Sequence, residues 1–349
     1  MMLVLAILAL IWAAGLGLGW SKPLRLALMG GVLACVIILQ VVLPDGHALR
    51  EATGKDPALW IGISVGYLAV QGYGYLLSRL RERAQGVPDA APTPNATSGP
   101  FSEQELDRYA RHIVLREIGG TGQVALKNAK VLVVGAGGLG APALQYLAAA
   151  GVGTIGVIDD DIVDNSNLQR QVIHTSETIG LPKVQSAARA MTALNADIRV
   201  KPYHRRLTPD IAADLVADYD LVLDGSDNFD TRYLVNEVCV ATGVPLIAAA
   251  LTQWEGQISL YDPKSATPCY KCIFPERPDP ALVPSCAEGG VLGPLPGVLG
   301  AMMAVEAVKE ITGAGEGLRG RMMIYDALYA ETRTIAMKRR AGCDVCGQT

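Results

Sequence analysis

The stretch VLVVGAGGLGAP at 131–142 decides the fold class of this chain. Its first apolar residues predict a buried strand, and Gly135, Gly137 and Gly140 then satisfy the GxGxxG spacing. A helix is predicted over 139–150, so the glycines occupy a strand-to-helix turn, where free N–H groups and the helix dipole bind phosphate. The motif alone is most typical of NAD or FAD enzymes.

Apolar segments bounded by turns alternate with helical patterns on both sides of this turn. They predict an α/β fold with a Rossmann-like, doubly wound mixed sheet. The predicted strands are 130–134, 154–158, 220–224 and 244–249, followed by a more antiparallel set at 256–261, 321–326 and 332–337. Ligands of such sheets bind at the carboxyl ends of the parallel strands, so the functional residues should follow those strands.

Polar residues follow the predicted strands at the positions that a nucleotide site requires. An acid about 20 residues after the glycines is expected to bind a ribose hydroxyl, and Asp159 or Asp161 meets this description. Asp224 and Asp227 follow the third predicted strand, where the carboxylate of Asp227 could hold magnesium together with phosphate oxygens. A further set of donors suits a triphosphate better than a nicotinamide ring; it comprises Asn167, Arg170, Gln171 and Lys183. For any one of these residues, a surface ion pair or a helix cap is the alternative.

Two CxxC pairs lie in the second half of the chain, Cys269 with Cys272 and Cys343 with Cys346. Four thiolates in two such pairs match the tetrahedral coordination of a structural Zn²⁺ ion. Two disulfides are the alternative, and they are rare in a domain whose pattern is that of a cytosolic enzyme.

The hydrophobic fraction of 50% is high for a soluble enzyme, and the excess lies at the N-terminus. Segments 2–20 and 24–43 each approach the ~20 apolar residues that cross a bilayer, and 58–77 is a weaker third candidate. A cleaved signal peptide is the alternative for the first segment, and a helix lying on the membrane surface is the alternative for the third. The basic residues in the first loop and after the third segment predict an external N-terminus. We therefore expect a multi-pass protein of the cell inner membrane with a cytoplasmic catalytic domain.

Composition predicts three regions along the chain. These are a membrane region over 1–80, a flexible linker over 81–102 rich in Pro, Ala, Ser and Thr, and a catalytic domain over 103–349. The formal net charge of −4 and the lack of a basic stripe argue against nucleic-acid binding.

Several motifs together resemble one family, the MoeB and ThiF (HesA) adenylyltransferases, bacterial relatives of the ubiquitin-activating enzymes. The resemblance covers the chain from about residue 103 onward and is strongest to the molybdopterin-synthase adenylyltransferase type. The added N-terminal membrane region departs from the family, whose familiar members are soluble. The matching motifs are RYARHIVL (108–115), GAGGLGAP, DDDIVDNSNLQRQ, LPKVQSA (181–187), DGSDN, EGQISLY (255–261), CYKC, CAEGGVLGPLPGVLG and CDVC.

This resemblance implies a function and a set of site residues. The function is ATP- and Mg²⁺-dependent adenylation of the C-terminal Gly-Gly carboxylate of a small ubiquitin-like sulfur carrier, in molybdenum cofactor biosynthesis, with pyrophosphate released. The implied partners are the carrier, a second copy of the chain in a homodimer, and a separate sulfurtransferase if sulfur is delivered. By the same resemblance Gly137 and Gly138 line the nucleotide, Asp159 binds the ribose, Asp227 lies near magnesium, and the phosphate contacts are Asn167, Arg170 and Lys183.

Two further residues take roles from the resemblance. Arg111 matches an arginine that reaches into the active site of the neighbouring subunit, although the next residue is His112 where the family usually has glutamine. Cys286 matches a loop cysteine that in some relatives bonds covalently to the carrier or a sulfur donor, and that need not be catalytic in MoeB-like members. A carboxylate nucleophile is already ionised at pH 7, so the reaction needs no general base, and we predict structural roles for His174 and His204.

Three other functions remain open at this point. One is activation of a thiamine-pathway carrier by a ThiF-type enzyme, which no short motif distinguishes from the molybdopterin type. A second is a Rossmann oxidoreductase, against which the basic donors and the zinc pairs argue. The third is a membrane-tethered scaffold that binds a carrier without chemistry.

Overall fold

A mixed β-sheet carries the second half of the chain, and its strand order fixes where a ligand can bind. The structure, a computed structural model, describes residues 2–54, 56–85, 99–278 and 289–347. In this part of the chain the sheet has eight strands in the order β3-β2-β1-β4-β5-β6-β7-β8. The strands are β1 (Lys130–Val134), β2 (Thr154–Ile158), β3 (Arg199–Tyr203), β4 (Leu221–Asp224), β5 (Leu246–Leu251), β6 (Glu255–Tyr261), β7 (Arg321–Asp326) and β8 (Glu331–Ala336).

The first five strands are parallel and the last three antiparallel, which confirms the Rossmann-like mixed sheet. Chain order reverses between β1 and its neighbour β4, so the crevice at the switch point lies beyond Val134 and Asp224. One strand, β3, was not predicted. Its sequence RVKPY carries two basic residues and a proline, and it lies at the sheet edge, half-exposed, where an apolar pattern is not required.

Helices cover both faces of the sheet and bury two apolar cores. Small residues of the helix after β1 pack directly against the strands, among them Ala143 and Ala148, which are fully buried. The helices of the second unit are α5 (Glu103–Ile113), α6 (Gly119–Asn128), α7 (Gly140–Ala150), α8 (Lys183–Leu194), α9 (Pro209–Ala217), α10 (Phe229–Thr242), α11 (Tyr270–Ile273) and α12 (Pro294–Thr312).

Residue contacts divide the chain into two compact units, Met1–Ala96 and Thr97–Thr349. The first unit contains α1 (Met2–Gly17), α2 (Lys22–Val42), α3 (Ala48–Thr53) and α4 (Pro57–Gln85). Its small core is built around Trp60, whose indole N–H donates to the Thr53 carbonyl oxygen over 3.0 Å. Helix α4 continues five residues into the predicted linker, and most of that linker lies outside the described residues.

The predicted membrane spans all fall on helices of the first unit. Among the described residues, one helical segment, Leu24–Val42, is long and apolar enough to cross a membrane, and Met2–Gly17 is apolar but shorter. Helix α4, which contains the third predicted span, does not meet the same criterion. Three membrane spans therefore stay a prediction.

Candidate active site

The glycine turn after β1 packs against the turn after β4 at the switch point. Gly135 has φ +94°, and a Cβ atom there would lie 3.0 Å from the carbonyl oxygen of Gly225. At Gly140 a Cβ atom would lie 1.9 Å from the carbonyl oxygen of Gly135, which no side chain tolerates. The turn is therefore restricted to glycine at both positions by backbone close approach.

Some of the backbone N–H groups of this turn are free to bind a ligand. Within the described residues, the N–H groups of Gly137 and Gly138 donate no hydrogen bond, and α7 begins two residues later. Free N–H groups at a helix N-terminus form an anion site, because the helix dipole adds partial positive charge there. The turn therefore has the geometry of an anion site, and its binding of phosphate stays a prediction.

Of the two candidate ribose acids, Asp159 is the one that contacts the glycine turn. Its Oδ2 accepts the N–H of Ala136 at 2.7 Å, and its Oδ1 accepts the N–H of Asp161 at 2.8 Å. Asp161 instead pairs with Lys183, Oδ2 to Nζ, at 2.7 Å. Each oxygen of Asp159 keeps a lone pair, so the carboxylate can still accept ribose hydroxyl groups.

Lys183 is the first residue of α8, and its side chain is 6% exposed. Asp161 contacts Lys183 at a second point, because the backbone N–H of Lys183 donates to the Asp161 carbonyl oxygen at 2.9 Å. An ammonium group buried to this extent needs an anion beside it. Asp161 supplies that anion.

The predicted donor run follows Asp164 and faces the glycine turn. Asn167 ends a 3₁₀ turn, and Arg170 donates to the Ser166 carbonyl oxygen at 3.2 Å. Gln171 is 4% exposed, and its Oε1 atom has no hydrogen-bond partner among the residues that the structure describes. A Cβ at Gly137 would lie 3.8 Å from the Gln171 Nε2 atom, so this amide borders the turn. An orphaned buried acceptor beside free N–H groups fits a polar ligand such as a nucleotide.

The turn after β4 separates two aspartates with different environments. Asp224 is 1% exposed and accepts both the N–H and the hydroxyl of Ser226, at 2.9 and 2.6 Å. Asp227 is exposed, so its carboxylate is available to hold Mg²⁺ with phosphate oxygens as the other ligands. The exposed carboxylate of Asp227 therefore fits a magnesium ion better than the buried carboxylate of Asp224 does.

Arg232 supports this turn and was not among the predicted residues. It donates to the carbonyl oxygens of Ser226 and Ala249 and lies 3.7 Å from the Asp224 carboxylate. A signal was present in the sequence, since a buried aspartate at the end of a strand requires a nearby cation. Arg232, one turn into α10, is the first basic residue after Asp224 in the sequence.

Two predicted site residues are not brought to the crevice by the described structure. Arg111 lies exposed in the last turn of α5, and within the described residues it makes no ion pair or hydrogen bond. Cys286 lies in 279–288, outside the described residues. The roles of both stay predictions.

The four predicted zinc ligands meet in one buried cluster. The Sγ atoms lie 3.9 Å apart for Cys269 and Cys272, 3.8 Å for Cys269 and Cys343, and 3.3 Å for Cys272 and Cys346. Four sulfurs at ~2.3 Å from a tetrahedral Zn²⁺ ion would be about 3.8 Å apart, so the cluster fits this ion.

The thiols of the cluster differ in their electrostatic environment. Burial raises the pKa of the Cys269 and Cys272 thiols. Burial acts in the same direction on Cys343, but the N–H groups of Cys346 and Val345 outweigh it and lower the pKa to about 6. Around the sulfurs, Asn236 donates to Cys269 Sγ at 3.8 Å, and its Oδ1 accepts the Tyr270 N–H at 2.8 Å. Such outer contacts orient metal ligands, and here they tie the cluster to α10.

Comparison with known proteins gives a consistent result. The ThiF family matches residues 109–345. A sulfur carrier protein adenylyltransferase of Thermus thermophilus is 49% identical over 251 residues, covering 71% of this chain and 93% of that protein. The SAMP-activating enzyme E1 of Haloferax volcanii is 49% identical over 244 residues, covering 70% of this chain and 90% of that protein. Among solved structures, E. coli MccB with ATP superposes with a TM-score of 0.57 at 27% identity, covering 65% of this chain and 69% of that one.

Proposed function

The chain belongs to the ThiF family, and we propose that it is a nucleotidyltransferase acting on a ubiquitin-like sulfur carrier. In this proposal ATP adenylates the C-terminal Gly-Gly carboxylate of the carrier, and pyrophosphate leaves. The observation that carries it is the crevice at the switch point, where free N–H groups of the glycine turn lie beside an orphaned buried amide, with a buried lysine anchored to the segment after β2.

The chemistry requires positioning and charge neutralisation more than proton transfer. A carboxylate oxygen attacks the α-phosphorus while the bond from that phosphorus to the pyrophosphate oxygen breaks. Two anions approach each other, so Lys183 and Arg170 would lower the barrier by reducing their repulsion and stabilising the leaving group. Asp227 would hold Mg²⁺, which neutralises phosphate charge when bound. The nucleophile carries no proton at pH 7, and no base is needed.

The zinc cluster has a structural role in this proposal. Structural Zn²⁺ stabilises folded domains directly, and four cysteine ligands leave no open position for chemistry. Its ligands fix α11 and the C-terminal segment against α10, whose first turn follows the Asp227 turn. The ion therefore supports the site without entering the reaction.

Two further parts of the proposal concern the assembly. We propose a homodimer in which Arg111 of one subunit completes the nucleotide site of the other, and a membrane anchor formed by the N-terminal helices. A reporter fused after residue 84 should then be cytoplasmic and one in 44–57 external. The opposite pattern would put the ATP site outside the cytoplasm and overturn the predicted topology.

Pyrophosphate exchange tests the catalytic proposal. Purified protein should incorporate labelled pyrophosphate into ATP only with Mg²⁺ and a carrier that ends in Gly-Gly, and not with the same carrier lacking the last glycine. Lys183→Ala should abolish exchange, whereas the exposed Lys264→Ala control should not. A panel of molybdopterin-type and thiamine-type carriers ranks the two pathways by kcat/KM. Exchange with no member of the panel, together with binding of NAD in preference to ATP, would support the oxidoreductase alternative.

A further inference from the structure

His174 lies between the glycine turn and helix α8, and both of its ring nitrogens are engaged. The residue is 4% exposed. Its Nε2 atom lies 3.0 Å from the carbonyl oxygen of Ala136, and its Nδ1 atom lies 2.9 Å from the hydroxyl of Ser186, in the first turn of α8. The side chain therefore spans from the phosphate-binding turn to the helix that begins with Lys183.

The partners of His174 determine its tautomer. A carbonyl oxygen only accepts hydrogen bonds, so Nε2 carries a proton and donates to Ala136. Burial lowers the pKa of His174 and so favours the neutral ring, in which Nε2 keeps the proton and Nδ1 carries none. The Ser186 hydroxyl, whose oxygen lies beside Nδ1, donates to the Thr178 hydroxyl oxygen at 3.0 Å.

The contact with Ala136 has a consequence for the next residue. The carbonyl of Ala136 and the N–H of Gly137 belong to one planar trans peptide, so they point in opposite directions. The carbonyl points to the buried His174 ring, and the Gly137 N–H must point away from it. The other side of Ala136 is also held, because its N–H donates to Asp159 at 2.7 Å. Rotation of the Ala136–Gly137 peptide would break the His174 hydrogen bond.

From this geometry we propose that His174 is a positioning residue that aims the Gly137 N–H at the phosphates of the nucleotide. The proposal rests on the proposed function, because it concerns the same nucleotide site. Its acting group is the Nε2–H donor, which the Ala136 carbonyl oxygen requires, and Ser186 contacts the other ring nitrogen. His174 does not touch the substrate in this arrangement. A buried histidine that only filled space would lack such directional dependence.

Two replacements separate the donor from the space that the ring fills. In His174→Gln the amide nitrogen occupies the position of Nε2 and still donates to Ala136. In His174→Asn the side chain reaches only the position of Nδ1, so Ala136 loses its donor. His204→Gln is the matched control, since His204 is exposed and its one hydrogen bond within the described part of the chain is to the Asp160 carbonyl oxygen, at 3.2 Å.

The expected result is a difference between the two variants in ATP affinity. Loss of one buried hydrogen bond to the turn should weaken ATP binding about tenfold in His174→Asn, with a raised KM for ATP and a smaller change in kcat. His174→Gln and His204→Gln should bind ATP within about twofold of the unchanged protein. Affinity is measured by titration calorimetry on the full chain, KM and kcat by pyrophosphate exchange, and stability by thermal unfolding without nucleotide.

The other possible results distinguish failure of this inference from failure of the proposed function. Equal ATP affinity in the Gln and Asn variants would overturn the positioning role while leaving the proposed function intact. If the unchanged protein does not bind ATP, the proposed function fails, and this inference fails with it. Should His174→Asn not fold, His174→Met, which also lacks a donor, replaces it; failure of both to fold while His174→Gln folds would mean that the residue acts only through stability, against the proposal.

Discussion

Replacing Asp161 by alanine should destabilise the nucleotide-free protein and increase the stabilisation that ATP provides. The Asp161 carboxylate is 66% exposed, so its attraction for Lys183 is screened by solvent, but the Lys183 side chain is only 6% exposed. Removing the carboxylate leaves a buried ammonium without its partner, at a cost of about 2 kcal/mol. In a domain of this size, such a loss lowers Tm by about 4–8 °C.

ATP changes the balance because its phosphate oxygens supply the missing anion. In the unchanged protein Lys183 leaves or shares Asp161 when it binds phosphate, whereas in Asp161→Ala no carboxylate competes for it. At a ligand concentration 100 times Kd the nucleotide stabilises by about 2.7 kcal/mol, and a tighter Kd in the variant adds to this. The rise in Tm with ATP should therefore be larger in Asp161→Ala than in the unchanged protein.

Tryptophan fluorescence during heating, with and without Mg-ATP, measures both quantities on the full chain. Asp160→Ala is the control, since this neighbouring carboxylate is exposed and makes no described ion pair. An unchanged Tm without ATP would mean that Lys183 does not depend on Asp161. A smaller ATP-induced rise in the variant would mean that Asp161 helps to bind the nucleotide instead of competing for the lysine.

Three further predictions concern metal, assembly and pH. Cys346→Ser should lose zinc, measured by mass spectrometry of the purified protein, and should lower Tm; a folded, active protein without zinc would contradict the structural role of the cluster. Arg111→Ala and Asp227→Ala should each abolish pyrophosphate exchange. Mixing the two variants should restore about a quarter of the activity, because about half of the randomly mixed dimers are heterodimers with one intact site. If the mixture stays as inactive as each variant alone after the subunits have exchanged, a shared site is excluded. Burial lowers the pKa of His174 in the folded state, so below pH ~6.5 the unfolded chain takes up a proton that the folded chain does not. The free energy of unfolding should therefore decrease as the pH is lowered below ~6.5, by up to about 1.4 kcal/mol per pH unit. Denaturant titrations across pH 5.5–7.5 should show this slope reduced in His174→Gln, and an unchanged slope would assign it to other groups.

The sheet was predictable from sequence wherever its strands are buried. Strands β1 and β2 coincide with the predicted 130–134 and 154–158, because apolar runs next to glycine turns have few alternative structures. Strand β5 begins at Leu246 rather than 244 and ends at Leu251, since strand ends depend on pairing with β6. The half-exposed edge strand β3 gave no apolar pattern and was missed.

The candidate site divides in the same way. The sequence by itself determined the glycine turn and the four cysteines, because their chemistry constrains residue type and spacing locally: a close backbone approach admits only glycine, and a tetrahedral ion requires four thiolates. The tertiary structure alone decided that Asp159 rather than Asp161 contacts the turn, that Asp161 pairs with Lys183 across 22 residues, and that His174 contacts Ala136 across 38. These contacts depend on which loops the parallel strands bring to one edge of the sheet. Spacing along the chain does not encode them, because the entropy of closing such loops is offset only by the packing of the whole domain.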